Sequence, residues 1–171
     1  MRKCFVSGDR KTLVWAFATF VRPILEFSSP VWSPHQIGDI DLIESVQRNF
    51  TKYLPGLYNL SYSERLRLLG LDSLELRRLK ADLCLTHAIL HNLVDFDSNL
   101  FFTVRGCERT RGHPLKLVVQ QIKRDCRKYF FACRVVHVWN ALPSEAVMAT
   151  TRVCFKKRLN SVVLDKYVKY A

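Results

Sequence analysis

Apolar residues recur at helical spacing along most of the chain. Leu13, Val14, Phe17, Phe20 and Val21 fall on steps of three and four before Pro23 interrupts them, which predicts a helix followed by a kink or break. Ser28-Ser29-Pro30 and Ser33-Pro34 bracket Val31-Trp32 in a rigid connection, where Trp32 is expected to plug the core. A second stripe, Ile37, Ile40, Ile43, Val46, Phe50 and Leu54, predicts a helix ending at Pro55-Gly56, with Glu44, Arg48 and Lys52 sharing a different face at i, i+4. Ser61 and Glu64 spell a capping box, Gly70 closes the short segment that follows, and Asp72 with Glu75 repeats the device. Leu76, Leu79, Leu83, Leu90 and Leu93 stripe the next helix, expected to run to about Asn92. The sum is a small bundle of four or five helices whose short loops favour antiparallel neighbours.

Periodicity changes near residue 105. Residues 103–114 carry two Gly, one Pro and three Arg, and Leu115-Lys116-Leu117-Val118-Val119 then reads as a strand with a hairpin partner expected over residues 122–129. Phe130, Phe131, Val135, Val138 and Trp139 suit an amphipathic helix ended by Pro143, on whose stripe Phe130, Phe131 and Trp139 read as core. Thr151 can cap a last helix through Val153, Phe155, Leu159 and Val162, with Lys156, Lys157 and Arg158 on its other side. The expected fold is mainly α, a helical domain over residues 1–104 followed by a basic α+β region over 105–171.

Composition agrees with a folded chain. Of 171 residues, 49% are apolar and 11 Phe, 6 Tyr and 3 Trp accompany only 6 Gly and 6 Pro, which excludes disordered and collagenous classes. The six Cys include no C-x-x-C pair, so reduced thiols and an intracellular protein, nuclear or cytoplasmic, are expected. The longest apolar run, residues 13–21, is far shorter than the roughly 18 residues a membrane helix needs, and no small-residue cleavage site follows it, so neither a membrane partner nor secretion is expected.

Charge changes the picture more. The formal net charge is +12, and residues 105–171 hold 15 basic and 4 acidic residues against 12 and 11 in the preceding 104. A concentrated positive field favours a polyanionic partner, because phosphates neutralised by Lys or Arg release condensed counterions. A soluble basic surface with no specific partner accounts for the total equally well.

Tests for catalysis give little. There is no G-x-S-x-G, no phosphate-cradling G-x-x-x-x-G-K-[ST] and no G-x-G-x-x-G. Cys84, His87 and His91 could face one point of the leucine helix, and Cys107, His113, Cys126 and Cys133 could form a tetrad. The first set lacks a fourth ligand and the second lacks close pairs, so core or boundary roles are preferred. Asp39 with Asp41, and Asp95 with Asp97, are the near pairs of acids; a helix start and a turn explain them without a two-metal site.

The isolated stretches form an ordered series. Val21-Arg22-Pro23-Ile24-Leu25-Glu26-Phe27-Ser28-Ser29-Pro30-Val31-Trp32-Ser33-Pro34 resembles the segment after the palm in reverse transcriptases of LINE-type, non-LTR retrotransposons. Asp41-Leu42-Ile43-Glu44-Ser45-Val46-Gln47-Arg48-Asn49-Phe50-Thr51-Lys52, Leu60-Ser61-Tyr62-Ser63-Glu64-Arg65-Leu66 and Leu69-Gly70-Leu71-Asp72-Ser73-Leu74-Glu75-Leu76-Arg77-Arg78 resemble its thumb helices. Thr110-Arg111-Gly112-His113, Arg127-Lys128-Tyr129-Phe130-Phe131, Arg134-Val135-Val136 and Trp139-Asn140-Ala141-Leu142-Pro143 resemble the end of the polymerase in the jockey and CR1-like branches. The resemblance covers about nine tenths of the chain. It implies a thumb over residues 8 to about 94 that grips a template–primer duplex. The family's acidic pair, in an F-x-D-D or Y-x-D-D turn, has no counterpart, since no Asp-Asp dipeptide occurs. Fingers, palm and endonuclease are absent, so no catalytic residue is carried over and Mg²⁺ belongs only to a full-length parent.

The expected partner is RNA or an RNA/DNA duplex, bound without reading sequence through phosphates and 2′-hydroxyls. On the helix face away from the Ile-Val-Phe stripe the candidates are Gln47, Arg48, Thr51 and Lys52. Asn49 and Tyr53 stand where relatives are often more basic. In the C-terminal third the candidates are Arg109, Arg111, His113, Lys123, Arg124, Arg127, Lys128 and Arg134, with Tyr129 as a stacking ring. Arg127 and Arg134, seven apart, suit either carbonyl bonding or RNA. A solvated charged face explains each residue taken singly. The alternatives to a polymerase fragment are a stand-alone nucleic-acid-binding module and an element-derived relic that binds nothing.

Overall fold

The computed structural model describes residues 8–106 and 112–170. The chain is mainly α, as its periodicity predicts. It divides into two compact units: the chain through Arg78 together with the segment from Val168 onward, and Leu79–Tyr167.

In the first unit, Asp9 starts α1 (Arg10–Ala16) by accepting hydrogen bonds from the Thr12 amide and hydroxyl, both at 3.0 Å. Of the expected kink or break at Pro23, the chain shows a change of helical winding and no break. Residues Phe17–Val21 wind as a π-helix into α2 (Arg22–Glu26), and the Arg22 amide donates to the Phe17 carbonyl. The widened turn accommodates a proline, which has no N–H to give and crowds an ordinary α turn. Ser28, at φ 53°, then reverses the chain into α3 (Ser29–Trp32). Trp32 is not a core plug: it is 40% exposed and its indole N–H donates to the Phe27 carbonyl at 2.6 Å, bracing the turn. The core of this unit gathers Leu13, Leu54 and Leu57, with Phe17 stacked on Phe50 at 4.3 Å.

Helix α4 (Ile37–Lys52) departs in part from the expected orientation: Phe50 and Leu54 of the stripe reach the core, but its inner face also takes in polar residues. Of the stripe, Ile37 is 64% exposed and Val46 39%, whereas Glu44, Gln47 and Thr51 are fully buried. A carboxylate leaves water only if donors meet it. Glu44 finds three: the amides of Leu74 at 3.1 Å and Glu75 at 3.2 Å, which open α6 (Leu74–Leu90), and the Tyr62 hydroxyl. These amides are the orphan donors of a helix N-terminus, where the backbone dipole favours negative charge. Gln47 completes the seam, its amide donating to Tyr62 Oη at 3.1 Å and to the Asp72 carbonyl at 3.0 Å. Burial first, and then Glu44, push the Tyr62 phenol far above its ordinary pKa, so it stays a donor.

Helix α5 (Tyr62–Leu69) carries the expected capping box at Ser61 and Glu64 and ends at Gly70, whose φ of 63° suits a residue without a Cβ. The second cap is shifted: Ser73, not Asp72, accepts from the Leu76 amide at 3.2 Å. The tail returns to this unit. Glu75 accepts from the amides of Lys169 at 2.8 Å and Tyr170 at 3.1 Å, and Asp41 accepts from Lys169 Nζ at 2.8 Å and from the Tyr170 hydroxyl.

The second unit is organised around rings. His87 stacks on Phe155 at 4.3 Å, Trp139 lies 6.0 Å from Phe155, and His113 meets Trp139 edge-on at 5.9 Å. Trp139 and Asn140 hold the 113–117 segment: the indole N–H donates to the Leu115 carbonyl at 2.8 Å, and the Asn140 side chain both accepts from and donates to the Leu117 backbone at 2.8 and 2.9 Å. The expected hairpin is corrected. Among the described residues the β pairing is one isolated antiparallel bridge, Val104 with Leu117, and the intended partner segment contains α7 (Asp125–Lys128). The expected helix after it is split into α8 (Phe131–Arg134) and α9 (Val136–Asn140), with α10 (Ser144–Val147) beyond Pro143. Thr151 caps α11 (Arg152–Leu159) as predicted, accepting from the Cys154 amide at 3.2 Å.

Glu44→Ala removes an acceptor from two helix amides and a buried hydroxyl and is expected to cost about 3 kcal/mol, whereas Leu42→Ser on the opposite, exposed face costs about 0.5 kcal/mol or less. Urea unfolding of both variants checks this, and equal costs would contradict the orientation described for α4.

Candidate nucleic-acid interface

Two of the four α4 candidates present nothing to a duplex. Gln47 is committed to Tyr62 and Asp72, and Thr51, fully buried, donates to the Arg48 carbonyl at 3.1 Å. Arg48 is half-buried between rings, its guanidinium carbon 5.6 Å from the Tyr62 centroid and 4.9 Å from that of Tyr170. Lys52 is half-buried, with Nζ 4.9 Å from the Tyr58 centroid. Polar letters predict an outward face; the Glu44 seam draws that face inside.

The C-terminal candidates separate in the same way. Arg109 and Arg111 lie outside the described residues. His113 is buried, its Nε2 3.0 Å from the Trp139 carbonyl. Arg134 forms a bidentate ion pair with buried Asp82, at 2.8 and 3.0 Å, and also donates to the Tyr129 carbonyl at 3.0 Å. Both are structural, for the same reason: a polar group held inside needs a partner, and a carbonyl or a carboxylate supplies it.

What remains is a compact basic segment. Lys123, Arg124, Arg127 and Lys128 are exposed around α7, where Asp125 in the first turn and the two basic residues in the last complement the helix dipole. Arg127 donates to Gln120 at 3.2 Å, and Lys128 Nζ lies 5.3 Å from the centroid of half-buried Tyr129. Between residues 112 and 144 the sole acid in the sequence is Asp125. Beside them opens a cavity of about 330 Å³, lined by Phe101, Phe102, Val119, Tyr129, Arg134 and His137 among others. Phe130, read as core, is 47% exposed, while Phe131 and Trp139 are buried as expected. Phe130 is the extended N-cap of α8 and so stands outside the helical stripe.

Comparisons with protein-family models, curated proteins and solved structures give no match.

Cys84, His87 and His113 are buried and His91 and Cys133 half-buried, as core or boundary roles require, whereas Cys126 is exposed. His87 and His91 stack at 4.3 Å and aim Nε2 at the carbonyls of Ala149 and Val147, at 2.7 and 2.8 Å. Burial pushes the Cys84 thiol pKa up. The Cys107 tetrad cannot be traced, because Cys107 lies outside the described residues. Among those described, no three His, Cys, Asp or Glu side chains gather as a metal site, and no helix is long and apolar enough to cross a membrane.

Sequence reasoning missed the wall of the cavity. Thr103, Val119, Gln120 and His137 come from three separate stretches and share no local pattern. Arg152, Lys156, Lys157 and Arg158 on α11 are also exposed, and their run of charge is visible in the sequence outside the predicted candidates.

Arg134→Met removes both guanidinium bonds from buried Asp82 and is expected to cost about 3 kcal/mol by urea unfolding, against near neutrality for Lys123→Met. Acid sensitivity follows from two histidines. Burial is the main cause that lowers the pKa of His87 and of His113, opposed in each by its carbonyl bond, with His91 and Arg152 adding to the first effect and Lys116 to the second. The folded chain then binds fewer protons than the unfolded one between those lowered values and about 6.5, so stability is full above pH 6.5 and falls as the pH drops through that window. Urea midpoints at pH 7.5 and 5.5 should differ in that direction, and by less in His87→Gln and His113→Gln.

Proposed function

We propose that the chain is a thumb and C-terminal basic region of a LINE-type reverse transcriptase, binding RNA or an RNA/DNA duplex without sequence preference, in the cytoplasm or nucleus, and carrying out no polymerisation itself. The observation that carries the binding is the set of four exposed cations around α7, Lys123, Arg124, Arg127 and Lys128, with Asp125 the one acid among them. The ordered series of polymerase-like segments and the mainly helical architecture support the parentage.

The physics is that of phosphate contact. Each ammonium or guanidinium that meets a phosphate oxygen displaces a condensed counterion, and the gain in ion entropy is indifferent to the base. The grip on this reading lies on the α7 segment rather than on α4, whose Gln47 and Thr51 are spent within the fold. The absence of an Asp-Asp dipeptide from the sequence is why no chemistry on a nucleotide is assigned.

Affinity for a hybrid duplex should fall steeply as salt rises from about 50 to 200 mM, with a log–log slope that shrinks by about 3 when all four cations are replaced by alanine. Fluorescence anisotropy at several salt concentrations measures both. A flat response, or no binding at low salt, contradicts the reading. Incorporation of nucleotides by the purified chain with Mg²⁺ and a primed RNA template would contradict the absence of polymerisation.

A further inference from the structure

We propose that the cavity of about 330 Å³ in the second unit takes one unstacked nucleobase from a single-stranded stretch whose phosphates lie on the α7 cations. This rests on the nucleic-acid reading above and deepens it. Three features of the cavity define the occupant. Its volume lies at the lower end of small-ligand pockets, room for one nucleotide and not for stacked base pairs. Its floor is formed by buried Phe102 and half-buried Phe101, which meet edge to face with the buried Phe131 ring behind them, at 5.8 and 6.5 Å, so the apolar surface is held rigid. Its rim carries Tyr129 together with Lys128 and His137, both exposed, so an aromatic ring and positive charge meet at the mouth.

That combination suits a base joined to a phosphate. A flat ring can enter an apolar slot and lie against a phenol, while the attached phosphate stays at the rim among ammonium groups. An aliphatic ligand would leave the cations without a partner, and a free polyphosphate would leave the apolar floor wet. A base within a duplex cannot enter, since it would first have to leave its stack. Arg134 forms one wall, fixed by Asp82, and so shapes the slot without spending its charge on the strand. Thr103 and Gln120 add polar groups at the edge, too few to read one base against another. The preference is therefore for unpaired bases of any identity.

The test compares three probes of equal length with the intact chain: single-stranded oligouridylate, the same phosphodiester chain with abasic sugars, and a duplex. Oligouridylate is expected to bind ten-fold or more tightly than either of the others. Val119→Trp, at a half-exposed position on the wall, fills the slot, and Tyr129→Ala removes the rim ring. Each should bring the ratio of oligouridylate to abasic affinity to near one, with circular dichroism and the urea midpoint confirming the fold. If the intact chain binds base-bearing and abasic strands equally, with affinity still falling as salt rises, the pocket is overturned and the phosphate reading stands. If both variants keep the preference, the base sits elsewhere and the pocket is again overturned. If none of the probes binds at low salt, both readings fail together.

Discussion

The carboxylate of Glu44 sets the plan of the first unit. Placed inside, it must be met by donors, and the nearest are the amides that open α6 and the hydroxyl of Tyr62. Meeting them fixes which face of α4 is inner, and the consequence spreads along that helix. Gln47 and Thr51 follow Glu44 inward by helical spacing, Arg48 is pressed between aromatic rings, and Ile37 and Leu42 are left in solvent. A single buried charge thus outweighs several aliphatic side chains, because the cost of a lone carboxylate exceeds that of an exposed isoleucine.

The same rule divides the basic residues of the second unit. Arg134 and His113 are held inside against Asp82 and a carbonyl, and their positive or polar character is spent on the fold. Lys123, Arg124, Arg127 and Lys128 face water around a short helix. A chain with net charge +12 does not offer all of that charge to a partner. What it offers depends on which cations have already found an acid or a carbonyl, and the proposed function rests on those that have not been drawn into the interior.

Local signals were legible in the sequence where the physics is local. The capping box at Ser61 and Glu64, the Gly70 terminus, the Thr151 cap and the leucine-rich helix from residue 74 are decided within a few residues, and each is found. Trp32, the Ile37 and Val46 positions of the α4 stripe and the hairpin depart from the local pattern because tertiary partners decide them. Trp32 answers to the Phe27 carbonyl, α4 to the amides of α6, and Leu117 to Asn140 and Val104. Of the candidate site, the exposed cluster was legible as a run of basic letters. The fate of Arg134 and the cavity wall was not, since Asp82, Val119 and His137 lie far apart in sequence.

The central claim is that nucleic acid meets the second unit at the α7 segment and does not meet the inner face of α4. Amide chemical-shift mapping during titration with an oligonucleotide carrying a hybrid duplex and a single-stranded overhang tests it residue by residue. The account predicts changes concentrated in residues 118–137, with 44–51 unmoved. Changes centred on 44–51, with 118–137 silent, would contradict it.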